Sequence, residues 1–87
     1  MITIGIDPHK GSHTATAVDG SEVVVGELRV EANRHQRARL LEWAAAFEPR
    51  RWAIEGATGV GALLAQQLVG AGEDVVDVPP KLSARAG

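Results

Sequence analysis

Ile2, Ile4 and Ile6 alternate with Thr3, Gly5 and Asp7 at the start of the chain. A period of two predicts a strand with one buried face, here over Met1–Asp7. Pro8 has no N–H to donate and ends the ladder. A second strand is expected from His13 to Val18, and a third, rich in β-branched residues, over Glu22–Val30. Asp19-Gly20 between them predicts a tight type I′ hairpin, so the three strands form an antiparallel meander. The period then changes. Leu40, Leu41, Ala44 and Phe47 recur at helical spacing and mark one buried stripe. Asn33 followed by Gln36 predicts a capping box at the start of that helix, and Pro49 stops it. Arg51–Glu55 is a fourth strand. Gly56-Ala57-Thr58 turns the chain, Thr58 is placed to cap a second helix, and Val60, Leu63, Leu64 and Leu68 share its apolar face. Gly70 and Gly72 suit the C-cap of that helix. A fifth strand, Asp74–Val78, runs into Pro79-Pro80, where no strand or helix continues.

This order predicts an α/β fold. Crossovers between parallel strands are right-handed in nearly all cases. The simplest sheet is then mixed, of order 3-2-1-4-5, with only the second strand antiparallel. Both helices should cover the same face. The other face, carrying Thr3, Gly5, Ala53, Asp7 and Glu55, is left bare, which its small, semi-polar surface tolerates. Asp7 and Glu55 end neighbouring strands at the carboxyl edge, where open α/β sheets keep their sites. The arrangement is ribonuclease H-like.

Two carboxylates at such an edge look like half of a divalent-metal site for phosphodiester chemistry. Hard oxygen donors favour Mg²⁺ or Mn²⁺ over zinc. The bland alternative gives Asp7 to an Asx turn before Pro8 and Glu55 to capping nearby backbone. The pattern alone weighs the two evenly. His9 and Lys10 follow the first carboxylate and are candidates for contact with a nucleic-acid phosphate. His13 reads more readily as part of a polar turn. Asp77 is a weak further ligand candidate at the same edge, and a plain strand terminator is the simpler reading of it. Gly56–Gly61 has some likeness to a dinucleotide loop, but its spacing departs from G-x-G-x-x-G and it follows the fourth strand. Tight turning and close helix packing explain it better.

Composition narrows the classes. The chain has 87 residues, enough for one domain over 1–87, and no linker or internal repeat is visible. It has no Cys, which excludes disulfides and thiolate metal sites. No apolar run is long enough to span a membrane, and no signal peptide is visible, so the expected compartment is the cytoplasm. The net charge of -2 does not advertise nucleic-acid binding. The basic residues still cluster, in Arg34, Arg37 and Arg39, in Arg50 and Arg51, and in Lys81 and Arg85. A solvated charged face is the simpler reading of each cluster.

Ile4-Gly5-Ile6-Asp7-Pro8-His9-Lys10, Ala53-Ile54-Glu55-Gly56-Ala57, Leu64-Ala65-Gln66-Gln67-Leu68 and Val76-Asp77-Val78-Pro79-Pro80-Lys81-Leu82 together resemble the N-terminal part of the insertion-sequence-110 family of DEDD transposases. The resemblance runs through nearly the whole chain in register. It implies a RuvC-like catalytic domain that binds Mg²⁺ and acts on DNA. By position Asp7 resembles the first acidic residue of the family and Glu55 the second, while Lys10, His9 and Lys81 become weak nucleic-acid contacts. It also implies oligomers guided by an element-encoded RNA. The family's later aspartate pair and its serine-bearing domain have no counterpart before Gly87. The expectation is therefore a truncated chain, inactive alone. Two other readings share parts of the pattern. One is a lobe of an actin-like or sugar-kinase ATPase, which nucleotide binding would reveal. The other is a non-catalytic interaction module that assembles with an intact enzyme.

Overall fold

The computed structural model describes residues 1–79. Five strands and two helices follow in the order β1 (Ile2–Pro8), β2 (Ser12–Val18), β3 (Val24–Glu31), α1 (Gln36–Ala44), β4 (Arg50–Glu55), α2 (Ala62–Gly70) and β5 (Val75–Val78). The sheet runs β3-β2-β1-β4-β5. β1 pairs antiparallel with β2 and parallel with β4, and β5 is parallel to β4. This is the expected topology.

The period-two pattern of β1 does what it predicts. Ile4 and Ile6 are buried, while Thr3 and Asp7 are exposed. Ile4 pairs with Ala17 on one side and Trp52 on the other, and Ile6 with Ala15 and Ile54. These residues share one face because side chains alternate across a strand. Leu40 and Ala44 of α1 and Leu64 and Leu68 of α2 complete that buried cluster. The two helices also touch one another. Among the described residues no helix covers the opposite face.

Gly61 shows how closely α2 sits on the sheet. A Cβ there would lie 2.9 Å from Ile54 Cγ2 and 3.1 Å from Pro8 Cγ. Gly56 turns the chain at a φ of 67°, and its carbonyl accepts from the amides of Gly59 and Gly61. The Gly56–Gly61 segment is thus a turn and a packing contact, the simpler of its two readings. At the other end of α2, Gly72 takes a φ of 86°. The amides of Gly72 and Glu73 donate to the carbonyls of Val69 and Leu68, forming a Schellman cap.

Four local expectations are corrected. The β2–β3 connection is a longer loop, not a two-residue turn. The Asp19 carboxylate accepts from the amides of Ser21 and Val23, at 2.8 and 3.0 Å, so the loop winds around that side chain. β3 accordingly starts at Val24, and Glu22 takes the positive φ, 65°. No capping box forms: Asn33 Oδ1 accepts from the His35 amide in an Asx turn, α1 starts at Gln36, and Gln36 turns inward. Thr58 does not cap α2, whose N-cap is Gly61. The later start changes the helix phase, so Leu64, Ala65 and Leu68 are buried while Val60 and Leu63 are exposed.

The loop supports a stability prediction. An L-residue in the left-handed region costs roughly 1–2 kcal/mol, and glycine avoids that strain while losing more entropy on folding. Glu22→Gly is therefore expected to raise stability by about 0.5–1 kcal/mol in urea denaturation. A lower midpoint would mean that the Glu22 side chain contributes more than its backbone costs.

Candidate functional site

Ile6 and Ile54 are register partners on β1 and β4, and both face the helices. Asp7 and Glu55 each lie one step further along. They therefore project from the bare face, on neighbouring strands about 4.8 Å apart. Both line one open cleft of about 360 Å³, with Thr3, Gly5, Thr16 and Ala53 among its walls. Asp7 is exposed and Glu55 half-buried. His9 Nε2 lies 3.3 Å from Asp7 Oδ2, so the first carboxylate has a nearby imidazole.

The donor set suits a hard cation. Magnesium is commonly held by one or two protein carboxylates together with substrate phosphate and water. Asp7 and Glu55, on one face and in a cleft open to solvent, are donors of that kind. Among the described residues no cluster of three or more His, Cys, Asp or Glu could hold a metal.

Asp77 does not join the pair. It is the register partner of Ile54, which places it on the helix-covered face. There Asp77 Oδ1 accepts the Ala57 amide at 3.0 Å and fixes the turn after β4. Lys10 is exposed and lines a different cleft, together with His9, on the helix side of the β1–β2 turn. Lys81 lies outside the described residues.

Two polar networks escaped the sequence reading. His13 is a buried strand residue, only 4% exposed, not part of a polar turn. Its Nε2 lies 3.0 Å from Gln36 Oε1, and Gln36 Nε2 donates to Gln67 Oε1 at 2.7 Å. The available signal was helical spacing, since Gln36 stands in line with Leu40 and Ala44, both buried. The second network lies toward the opposite sheet edge. Arg50 donates to both Glu73 carboxylate oxygens, at 2.8 and 3.0 Å, and Trp52 Nε1 donates to Glu73 Oε1 at 2.6 Å. Arg50 also pairs with Glu48 and reaches the Ala44 carbonyl. Arg51 pairs with Asp74. These two arginines are thus engaged in ion pairs rather than forming a free basic patch.

A profile of DEDD transposases of the IS110 type, described as a transposase family, matches residues 4–87. The chain belongs to that family. A relative from Streptomyces clavuligerus, the insertion element IS116 uncharacterized 44.8 kDa protein, is 37% identical over 78 residues. That match takes in 90% of this chain but 20% of the relative, so the chain spans about a fifth of the curated protein it matches. Among solved structures, T. thermophilus RuvC in complex with a Holliday junction substrate superposes with a TM-score of 0.71 at 21% identity, over 99% of this chain and 69% of RuvC. The large terminase nuclease of the thermophilic phage G20c gives 0.67 at 15% identity, over 91% of this chain and 43% of the nuclease. At these identities the likeness establishes the fold, which is RuvC-like and ribonuclease H-like. No helix among the described residues is long and apolar enough to cross a membrane.

Proposed function

We propose that this IS110-type chain is the N-terminal part, over 1–87, of the catalytic domain of a DNA transposase, and that Asp7 and Glu55 are two of its metal ligands. The observation that carries the reading is the β1–β4 register, with both carboxylates lining one cleft at the carboxyl edge of the sheet. Mg²⁺ or Mn²⁺ held there would polarise a DNA phosphate and activate the attacking oxygen. Asp7 and Glu55 bind and orient, and His9 steadies Asp7. Lys10 and Lys81 are proposed to approach the DNA backbone. The remaining ligands and the second half of the reaction belong to parts of such proteins that this chain does not span. The chain alone is accordingly proposed to be inactive in cleavage, and to act in an oligomer with DNA and an element-encoded guide RNA. Family membership favours this reading over an ATPase lobe.

Calorimetry with Mn²⁺ tests the ligand assignment. Two carboxylates without phosphate should bind weakly, on the order of millimolar. Asp7→Asn and Glu55→Gln are each expected to weaken binding about tenfold or more, equivalent to ~1.4 kcal/mol. Unchanged affinity in both variants would place the metal elsewhere.

A further inference from the structure

We infer that the cleft on the helix-covered side of the β1–β2 turn takes a single nucleotide of a DNA strand, read by the side-chain amide of Gln67. This cleft has a volume of about 650 Å³ and opens between the β1–β2 turn, the approach to α1 and the start of α2. That is within the size range of small-ligand sites. It lies outside the carboxylate cleft, yet His9, which contacts Asp7, is also in its wall. A strand leaving the carboxylates would cross His9 to reach it. The inference thus rests on the proposed action on DNA and extends it to a second contact.

The cleft combines three kinds of recognition. Lys10 and Arg34, both exposed, give its rim positive charge suited to a phosphate. Val60 and Leu63 are 56% and 62% exposed and form an apolar shelf on which a base ring can lie. Gln67 in the wall supplies a polar group of fixed orientation. That orientation comes from the buried relay beneath it. His13 Nδ1 has no partner. A buried orphan N–H is rarer and costlier than an orphan lone pair, so the ring proton belongs on Nε2. His13 Nε2–H then donates to Gln36 Oε1, and Gln36 Nε2 donates to Gln67 Oε1. Gln67 Oε1 is occupied by this bond, and its Nε2 is left as the donor facing the cleft. Both glutamine rotamers are thus set by one imidazole. A fixed donor beside an apolar shelf and a cationic rim matches a nucleotide, whose base carries acceptors and whose phosphate is anionic. His13 and Gln36 act as positioning residues behind Gln67.

Amide NMR of the 87-residue chain, titrated with a short single-stranded oligodeoxynucleotide in EDTA, tests this. The expected shifts map to Leu63, Leu64 and Gln67. Gln67→Leu should weaken binding roughly five- to tenfold, the cost of one hydrogen bond. Gln36→Glu, which accepts from both neighbours and turns the Gln67 amide around, should weaken it similarly without unfolding the chain. Loss of Mn²⁺ binding to the carboxylates with these shifts intact would sink the metal assignment and spare the nucleotide site. Shifts confined to the bare sheet face, or affinity unaffected by Gln67→Leu, would overturn the proposal. Equal binding of a free deoxynucleoside monophosphate would also overturn it, by assigning the cleft to a free nucleotide rather than a strand.

Discussion

Asp7→Asn is expected to abolish metal-dependent strand cleavage in a chimaera that joins this chain to the downstream segment of a full-length relative. Both the size and the design of the experiment follow from the geometry. Asp7 and Glu55 share one cleft on adjacent strands, so a cation held between them loses a charged ligand when either is neutralised. A metal that stabilises phosphoryl charge contributes several kcal/mol to the transition state. At one factor of ten per ~1.4 kcal/mol, the loss should be on the order of a thousandfold or more. Glu55→Gln should do the same, and the double substitution should add little, because the two residues serve one ion. The chain by itself should show no cleavage under conditions where the chimaera is active. Metal-dependent cleavage by the 87-residue chain alone would mean that it carries a complete site. A chimaera still active with Asp7→Asn would remove Asp7 from the chemistry.

The placement of that carboxylate pair was legible in the sequence because it depends on two strong rules. Period-two alternation fixes which face Asp7 takes once Ile4 and Ile6 are inside, and the right-handed crossover brings β4 beside β1. Asp77 stands apart from the pair because it sits one register step from Glu55: its strand partner is Ile54, so it projects from the other face. Leu63 and Leu64 are equally apolar, and the sequence alone does not reveal where the Gly56–Gly61 turn hands over to helix. The structure starts α2 at Ala62, which selects Leu64. His13, Gln36 and Gln67 lie on three separate elements, so their chain of hydrogen bonds has no local signature. The same is true of Arg50 and Glu73, separated by 23 positions.

Glu73→Gln is expected to destabilise the fold by about 2–3 kcal/mol at neutral pH, with a loss that shrinks as the solution is acidified. Glu73 and Arg50 side chains are both only 14% exposed, so they form a largely buried pair. Breaking a fully buried pair costs about 3–5 kcal/mol, and a site at the sheet edge should fall somewhat below that. The glutamine keeps a carbonyl for the Trp52 indole or for Arg50, but not two charged acceptors for both. The pH dependence has a definite sign. The hydrogen bond from Arg50 holds the Glu73 carboxyl below its usual range against the opposing effect of burial, helped by the Trp52 N–H and the Arg50 charge. A depressed folded value means the carboxylate's contribution is complete above the ordinary glutamate value, about 4.3. It is then lost as pH falls through the lower value in the folded chain. The Arg50 guanidinium is shifted upward by its hydrogen bond to the same carboxylate, so it stays charged throughout this range and the protonation of Glu73 alone sets the pH dependence. Urea denaturation of wild type and variant at pH 7, 5 and 3 should therefore converge at the acid end. A difference between the two that stays constant down to pH 3 would show that Glu73 contributes by packing rather than by its charge. The Schellman cap at Gly72 sets the position of this carboxylate, so Gly72→Val should reproduce part of the loss without altering its pH dependence.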